Sequence, residues 1–214
     1  PGGLTRALLE TGARVIAVEK DERFAPLLEE LAAASGDALS LVLADALTVD
    51  EAALAGGSAA IVSNLPYNVG TPLLIKWLTG AFTPTSMTLM FQKEVAERII
   101  ARPGSDAYGR LAVIAQATSH ADLVMDVPAR AFTPPPKVAS AVVHVRPRAE
   151  RPAPALLDKL QKLTAAAFGQ RRKMLRSSLK SMDGEARCAA AGIDSARRAE
   201  TLSVEEFLTL AATP

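Results

Sequence analysis

The sequence predicts an α/β fold: a mostly parallel sheet with helices on both faces, followed by a small all-helical domain. Two patterns predict it. Short apolar, β-rich runs alternate with helical patterns over the first two thirds of the chain, the signature of βαβ units. Beyond residue 149 the β-branched runs vanish and only short helical patterns remain. A 214-residue chain, 49% hydrophobic and 22% charged, can bury a core of that size.

The chain opens on "PGGLTRALLE", where Gly2 and Gly3 read as a glycine turn entering a helix. In a nucleotide-binding βαβ unit such a turn follows the first, central strand, so that strand is expected upstream of Pro1. "RVIAVE" (14–19), "LSLVLAD" (39–45), "AAIVSN" (59–64) and "SMTLMFQ" (86–92) read as continuous strands buried on both sides. Helical spacing occupies 21–34, 71–79 and 93–101, with Asp21 as a cap and Pro72 suited to a first turn. "DLVMDV" (122–127) and "SAVVHVR" (140–146) read as an antiparallel pair closing one edge of the sheet. "RPRAERPAP" (146–154), with three prolines, reads as a linker. Helices are expected over 156–168, 172–180, 184–191 and 204–211, giving domains 1–148 and 149–214.

Charge and cysteine narrow the function classes. The lone Cys188 excludes an internal disulfide framework, no Cys/His cluster has metal-ligand spacing, and a reducing cytoplasm is the expected compartment. No run approaches the length of about 18 apolar residues that a membrane span needs. Net charge is only +1, but residues 149–214 hold 11 Lys/Arg against 8 Asp/Glu. Within "QRRKMLRSSLK" (170–180), Arg171, Arg172, Lys173, Arg176 and Lys180 meet no acid. Such a run is either a solvated helix face or a patch that follows a phosphate backbone.

The strand ends carry the chemistry. Gly2 lets the backbone approach a ligand, and Glu19, 17 residues later, ends the next strand where a carboxylate accepts ribose hydroxyls. Asp45 ends the third strand and can accept from an adenine amine. Together they favour an adenosine-bearing ligand over a chance cluster of caps. The fourth strand runs into Asn64, Leu65, Pro66 and Tyr67. A nucleobase amine is a poor nucleophile because its lone pair is delocalised into the ring. Two acceptors that receive its hydrogens favour a tetrahedral nitrogen and free the lone pair. The Asn64 amide oxygen is one; the Leu65 carbonyl is the other, held outward because a residue before proline is extended. Tyr67 offers a face on which an extruded base can stack. No hydride-transfer site is visible, which disfavours a nicotinamide dehydrogenase.

At "NLPYNVGTPLL" (64–74) the chain resembles the KsgA-type small-subunit ribosomal RNA adenine dimethyltransferases. "FQKEVAERI" (91–99), "RPGSDAYGRLAV" (102–113), "FTPPPKVASAVV" (132–143) and "AFGQRRKMLRSSLK" (167–180) resemble later blocks of that family, in order, so the likeness spans the chain. The resemblance implies a class I, Rossmann-like methyltransferase fold and S-adenosylmethionine as donor. It also implies dimethylation of two adjacent adenines in the 3′-terminal hairpin of 16S rRNA on the small ribosomal subunit, by a monomer that also serves ribosome biogenesis. Glu19 matches the family's ribose-binding acid, Asp45 its adenine contact, Asn64 the amide facing cofactor and substrate, and Phe132 an aromatic on the other side of the base. A core role for Phe132 stands beside that reading. Two alternatives stay open: a DNA or antibiotic-resistance rRNA adenine methyltransferase, and a non-catalytic assembly factor.

Overall fold

The computed structural model describes residues 2–213 and divides into two compact units, residues 1–59 and 60–214. The strand expected before Pro1 lies outside the described residues.

The first unit begins with α1 (Gly3–Glu10), entered from Gly2 at φ +78°. Strands β1 (Val15–Glu19) and β2 (Leu39–Leu43) pair in parallel, Val15 opposite Leu39 and Glu19 opposite Leu43. Between them runs α2 (Ala25–Ser35), which buries Ala25, Leu28 and Leu31 on one side. Ahead of it the Asp21 side chain accepts from the Arg23 N–H and caps a 3₁₀ turn over Glu22–Phe24. A five-residue helix, α3 (Glu51–Ala55), ends the unit and is capped by Asp50.

The second unit holds a four-stranded sheet of order β3–β4–β6–β5. Strand β3 (Ile61–Asn64) runs parallel to β4 (Met87–Gln92), joined through α4 (Gly70–Thr79). After β4 come α5 (Lys93–Ile100) and α6 (Arg110–Thr118), then β5 (Ser119–Val127) and β6 (Ser140–Pro147). The expected antiparallel pair is present, with β6 antiparallel to both β4 and β5. Alternate residues Met87, Leu89, Phe91, Ala141, Val143 and Val145 are buried, the period-2 signature of one covered face.

The strands fall into two hydrogen-bonded sheets rather than the single ladder expected.

Helices α7 (Pro154–Gly169), α8 (Leu175–Ser178), α9 (Gly184–Ala190) and α10 (Val204–Ala212) complete the chain. They share one hydrophobic core with α6: Tyr108, Val113 and Ile114 pack with Leu160, Leu163, Leu175, Leu179 and Phe207. The Tyr108 ring meets Phe168 edge-on at 6.0 Å. The linker is shorter than expected, since β6 continues through Pro147.

The helix expected over 172–180 is corrected: 171–173 form a turn, and only Leu175–Ser178 is α-helical. Tertiary pairing overrides local propensity here. The N–H groups of Leu175 and Arg176 donate to the carbonyls of Arg197 and Ser195, at 2.8 and 3.0 Å. Met174 forms a bridge with Arg198.

Candidate active site

In the first unit, the β1–β2 pairing sets two acids at one edge. The Ala44 N–H donates to the Glu19 carbonyl at 2.9 Å, extending the ladder past Leu43 towards Asp45. Asp45 therefore stands two residues beyond the strand, not at its last position. The Glu19 Oε1 accepts the Asp21 N–H at 2.8 Å, which fixes the carboxylate at the strand end. Asp45 accepts the Leu47 N–H at 2.9 Å and the Lys20 ammonium at 2.7 Å. Two residues past Glu19, hydrogen bonds from Arg23 hold the Asp21 carboxyl down at about 2. At Gly2, a Cβ would lie 3.3 Å from Leu31 Cδ2, and φ +78° is itself strained for any side chain. Glycine is required there.

In the second unit, Asn64 is the last residue of β3, opposite Met90, and is exposed. The Leu65 N–H reaches the Met90 carbonyl at 3.4 Å, and its side chain is 4% exposed. That buried leucine pins the turn to the sheet. The Pro66 carbonyl then accepts the N–H groups of Val69 and Gly70, at 3.1 and 3.0 Å, and the chain turns into α4. Gly70 lets the turn close: a Cβ there would sit 3.2 Å from two atoms of the Phe91 ring. Among the described residues, no hydrogen bond to the Asn64 amide or to the Leu65 carbonyl is present. Tyr67 keeps 42% of its surface exposed, while its hydroxyl lies 3.0 Å from Ser140 Oγ.

The sheet brings a second loop to this edge. Residues 128–139 link Val127, the end of β5, to Ser140, the start of β6, and both pair at the level of Gln92. Phe132 lies on this loop, half-buried, its N–H donating to the Ala129 carbonyl at 3.2 Å. Lys93 ties both ends of the loop. Its backbone N–H donates to Ala139 at 2.9 Å and its ammonium to Asp126 at 2.9 Å. The hydrogen bond to the Asp126 carboxylate raises the Lys93 pKa. Ser140 and Lys93 carry no local signal in the sequence, because their partners lie 73 and 33 residues away.

The basic residues lie on other elements, in the turn and short helices after α7. Arg171, Arg172, Lys173, Arg176 and Lys180 are exposed. Arg171 donates to the carbonyls of Ser105 and Asp106, at 3.4 and 2.7 Å, and so also fastens the loop before α6. Among the described residues no ion pair joins Arg172, Lys173, Arg176 or Lys180 to an acid. Among the described residues no group of three or more His, Cys, Asp or Glu is placed to hold a metal, and no helix is long and apolar enough to cross a membrane.

Comparison with known proteins places the chain in a family. A family model described as ribosomal RNA adenine dimethylase matches residues 1–213. The Ribosomal RNA small subunit methyltransferase A of Phenylobacterium zucineum is 74% identical over 99% of this chain and 74% of its own length. That of Caulobacter vibrioides is 65% identical over 99% of this chain and 82% of its own length. Among solved structures, a dimethyladenosine transferase from Plasmodium falciparum superposes with a TM-score of 0.73 at 23% identity, covering 92% of this chain and 80% of that one. The 23S rRNA methyltransferase ErmE does so at 0.69 and 28% identity, over 98% and 85%. A methyltransferase-type α/β fold with a helical C-terminal part, an Asn-Leu-Pro-Tyr turn at a strand end and a family match along the whole chain lead to one conclusion: the chain belongs to the ribosomal RNA adenine dimethylase family.

Proposed function

We propose that adenine N6 is methylated at the Asn64-Leu65-Pro66-Tyr67 turn, and that the acceptor is adenine of small-subunit ribosomal RNA. The protein is an rRNA adenine dimethyltransferase, and S-adenosylmethionine, when bound, supplies the methyl group as an electrophile on a sulfonium. The residues of the first unit fit an adenosine: Gly2 holds the turn open, and Glu19 has Oε2 without a partner among the described residues beside its fixed Oε1. Asp45 stands at the same edge, where its neighbouring backbone can meet the adenine ring. Asn64 is the further residue that the family pattern assigns to the donor.

The observation that carries the reading is a pair of acceptors at the end of β3, the amide of the exposed Asn64 and the carbonyl of Leu65, to which no hydrogen bond is made among the described residues. Asn64 Oδ1 and the Leu65 carbonyl receive the two hydrogens of the exocyclic amine and hold its nitrogen tetrahedral. The Tyr67 face supports the extruded base, and Phe132 closes its other side. Once methylated, the nitrogen carries positive charge and releases its proton to water, so no carboxylate or imidazole base is needed. Rate comes mainly from alignment. The basic residues from Arg171 to Lys180, in the helical region 149–214, hold the RNA backbone.

The small subunit is favoured over the large one because relatives at 74% and 65% identity are named for it, while the likeness to ErmE stops at 28%. The finer substrate we infer is the pair of adjacent adenines in the 3′-terminal hairpin, modified by a cytoplasmic monomer. The test is transfer of labelled methyl groups to small and large subunits, offered together, from cells that lack the modification. Label should map to those adenines, and Asn64→Ala should lower turnover about 100-fold or more, the scale of losing one preorganised polar contact, with RNA affinity nearly unchanged. Unchanged turnover would remove the amide's role, and label on large-subunit RNA would overturn the substrate.

A further inference from the structure

Tyr67 is the exposed aromatic of the turn, yet its free end is not mobile. Its hydroxyl lies 3.0 Å from the Ser140 hydroxyl, and either oxygen can donate. Ser140 is fully buried and pairs on both sides, with Gln92 of β4 and Val127 of β5. It is therefore a fixed point in the sheet rather than part of the loop it borders. The preceding residue, Ala139, is held by the Lys93 N–H at 2.9 Å, so the loop bearing Phe132 returns to the sheet at that same point.

A tyrosine ring has two side-chain torsions, and a ring with 42% of its surface exposed gains little orientation from packing alone. A hydrogen bond at the far end of the ring fixes both torsions while leaving its face open. We propose that Ser140 is a positioning residue for methyl transfer: its buried hydroxyl, bonded to Tyr67 Oη, sets the Tyr67 ring in the orientation that receives the target adenine. The inference rests on the reading of Tyr67 as the base-stacking ring. It adds that the two aromatic walls, Tyr67 and Phe132, are registered to each other through one residue of β6.

The test is a double-mutant cycle on methyl transfer to unmodified small subunits. Tyr67→Phe and Ser140→Ala should each lower kcat about three- to tenfold, the scale of one hydrogen bond. KM should stay put, because RNA affinity resides in the basic surface. The double variant should be no slower than the slower single one, since both remove the same bond. Losses that multiply, or a Ser140→Ala enzyme that keeps full kcat and loses only thermal stability, would overturn the inference. Should Ser140→Ala fail to fold, Tyr67→Phe still decides: it alters an exposed position, and full kcat there removes the hydroxyl's role. Tyr67→Ala separates the two levels. If it keeps full turnover, the stacking role of the ring fails and the tether with it; if it loses turnover while Tyr67→Phe and Ser140→Ala do not, only the tether fails.

Discussion

Gly70 shows how little room the turn after Asn64 has. It is the buried first residue of α4, and a methyl group there would press on the Phe91 ring at 3.2 Å and sit 3.5 Å from Leu65 Cβ. Phe91 is itself 3% exposed, so its ring has nowhere to retreat without disturbing the sheet. Gly70→Ala should therefore destabilise the protein by about 1 kcal/mol, at the low end of overpacking costs. Under the proposed reading one of the two acceptor oxygens is the Leu65 carbonyl, so the same change should also lower kcat. Thermal unfolding and single-turnover transfer, measured on one preparation, check both. At this scale the sequence is most readable where chemistry is local. Asn64, Leu65, Pro66 and Tyr67 are contiguous, and each type has a stated reason to be there. Ser140 and Lys93 were silent, because their meaning arises only when strands 73 and 33 residues away are brought alongside.

Elements were legible wherever one face differed from the other. Strands β1 to β6 all stand within a few residues of their expected places, since alternation and continuous apolar runs both survive folding. Helix α6 shows no period, because Ala112, Val113, Ile114, Ala115 and Ala117 are all buried and no polar face exists to mark it. The segment 172–180 failed in the opposite way: its composition suits a helix, but the N–H groups of Leu175 and Arg176 donate to the carbonyls of Arg197 and Ser195, and only one short turn of helix follows. Helix α10 has the clearest start in the chain. Ser203 accepts from the Glu206 N–H while the Glu206 carboxylate accepts from the Ser203 N–H, a reciprocal capping box. Arg197 hydrogen-bonds the same carboxylate, and with the Ser203 bond holds the Glu206 pKa below its ordinary 4.5. The folded value is the lower one, so this stabilisation is present above about pH 4.5 and is lost as pH falls through the depressed value. Glu206→Gln should flatten the drop in melting temperature between pH 5 and 3. Ser203→Ala should cost about 1 kcal/mol at neutral pH. A melting curve at each pH decides both.

Across the whole molecule, composition divides the chain near residue 149, whereas the helical core begins with Tyr108 and α6. Amino-acid usage reports exposure and secondary structure, but it cannot report which helices share a core, and so α6 is invisible as a partner of α7 and α10. The excess positive charge beyond residue 149 also resolves into two groups once folded. Arg171 is bonded to the Ser105 and Asp106 carbonyls, so part of its work is holding the loop before α6. Arg172, Lys173, Arg176 and Lys180 stand exposed, with no acidic partner among the described residues. The two groups should separate experimentally. For RNA bound by phosphate contacts, each contact contributes about 0.7–0.9 to the slope of log affinity against log salt. Arg172→Ala with Lys173→Ala should therefore lower that slope by about 1.5 and weaken subunit binding, with melting temperature unchanged. Arg171→Ala should lower the melting temperature as well, because it frees two carbonyls of the loop. Filter binding to small subunits from 50 to 300 mM salt, paired with thermal unfolding, checks both. An unchanged slope in the Arg172/Lys173 pair would mean that those side chains face water in the complex, and that the RNA backbone lies against another surface of the C-terminal helices.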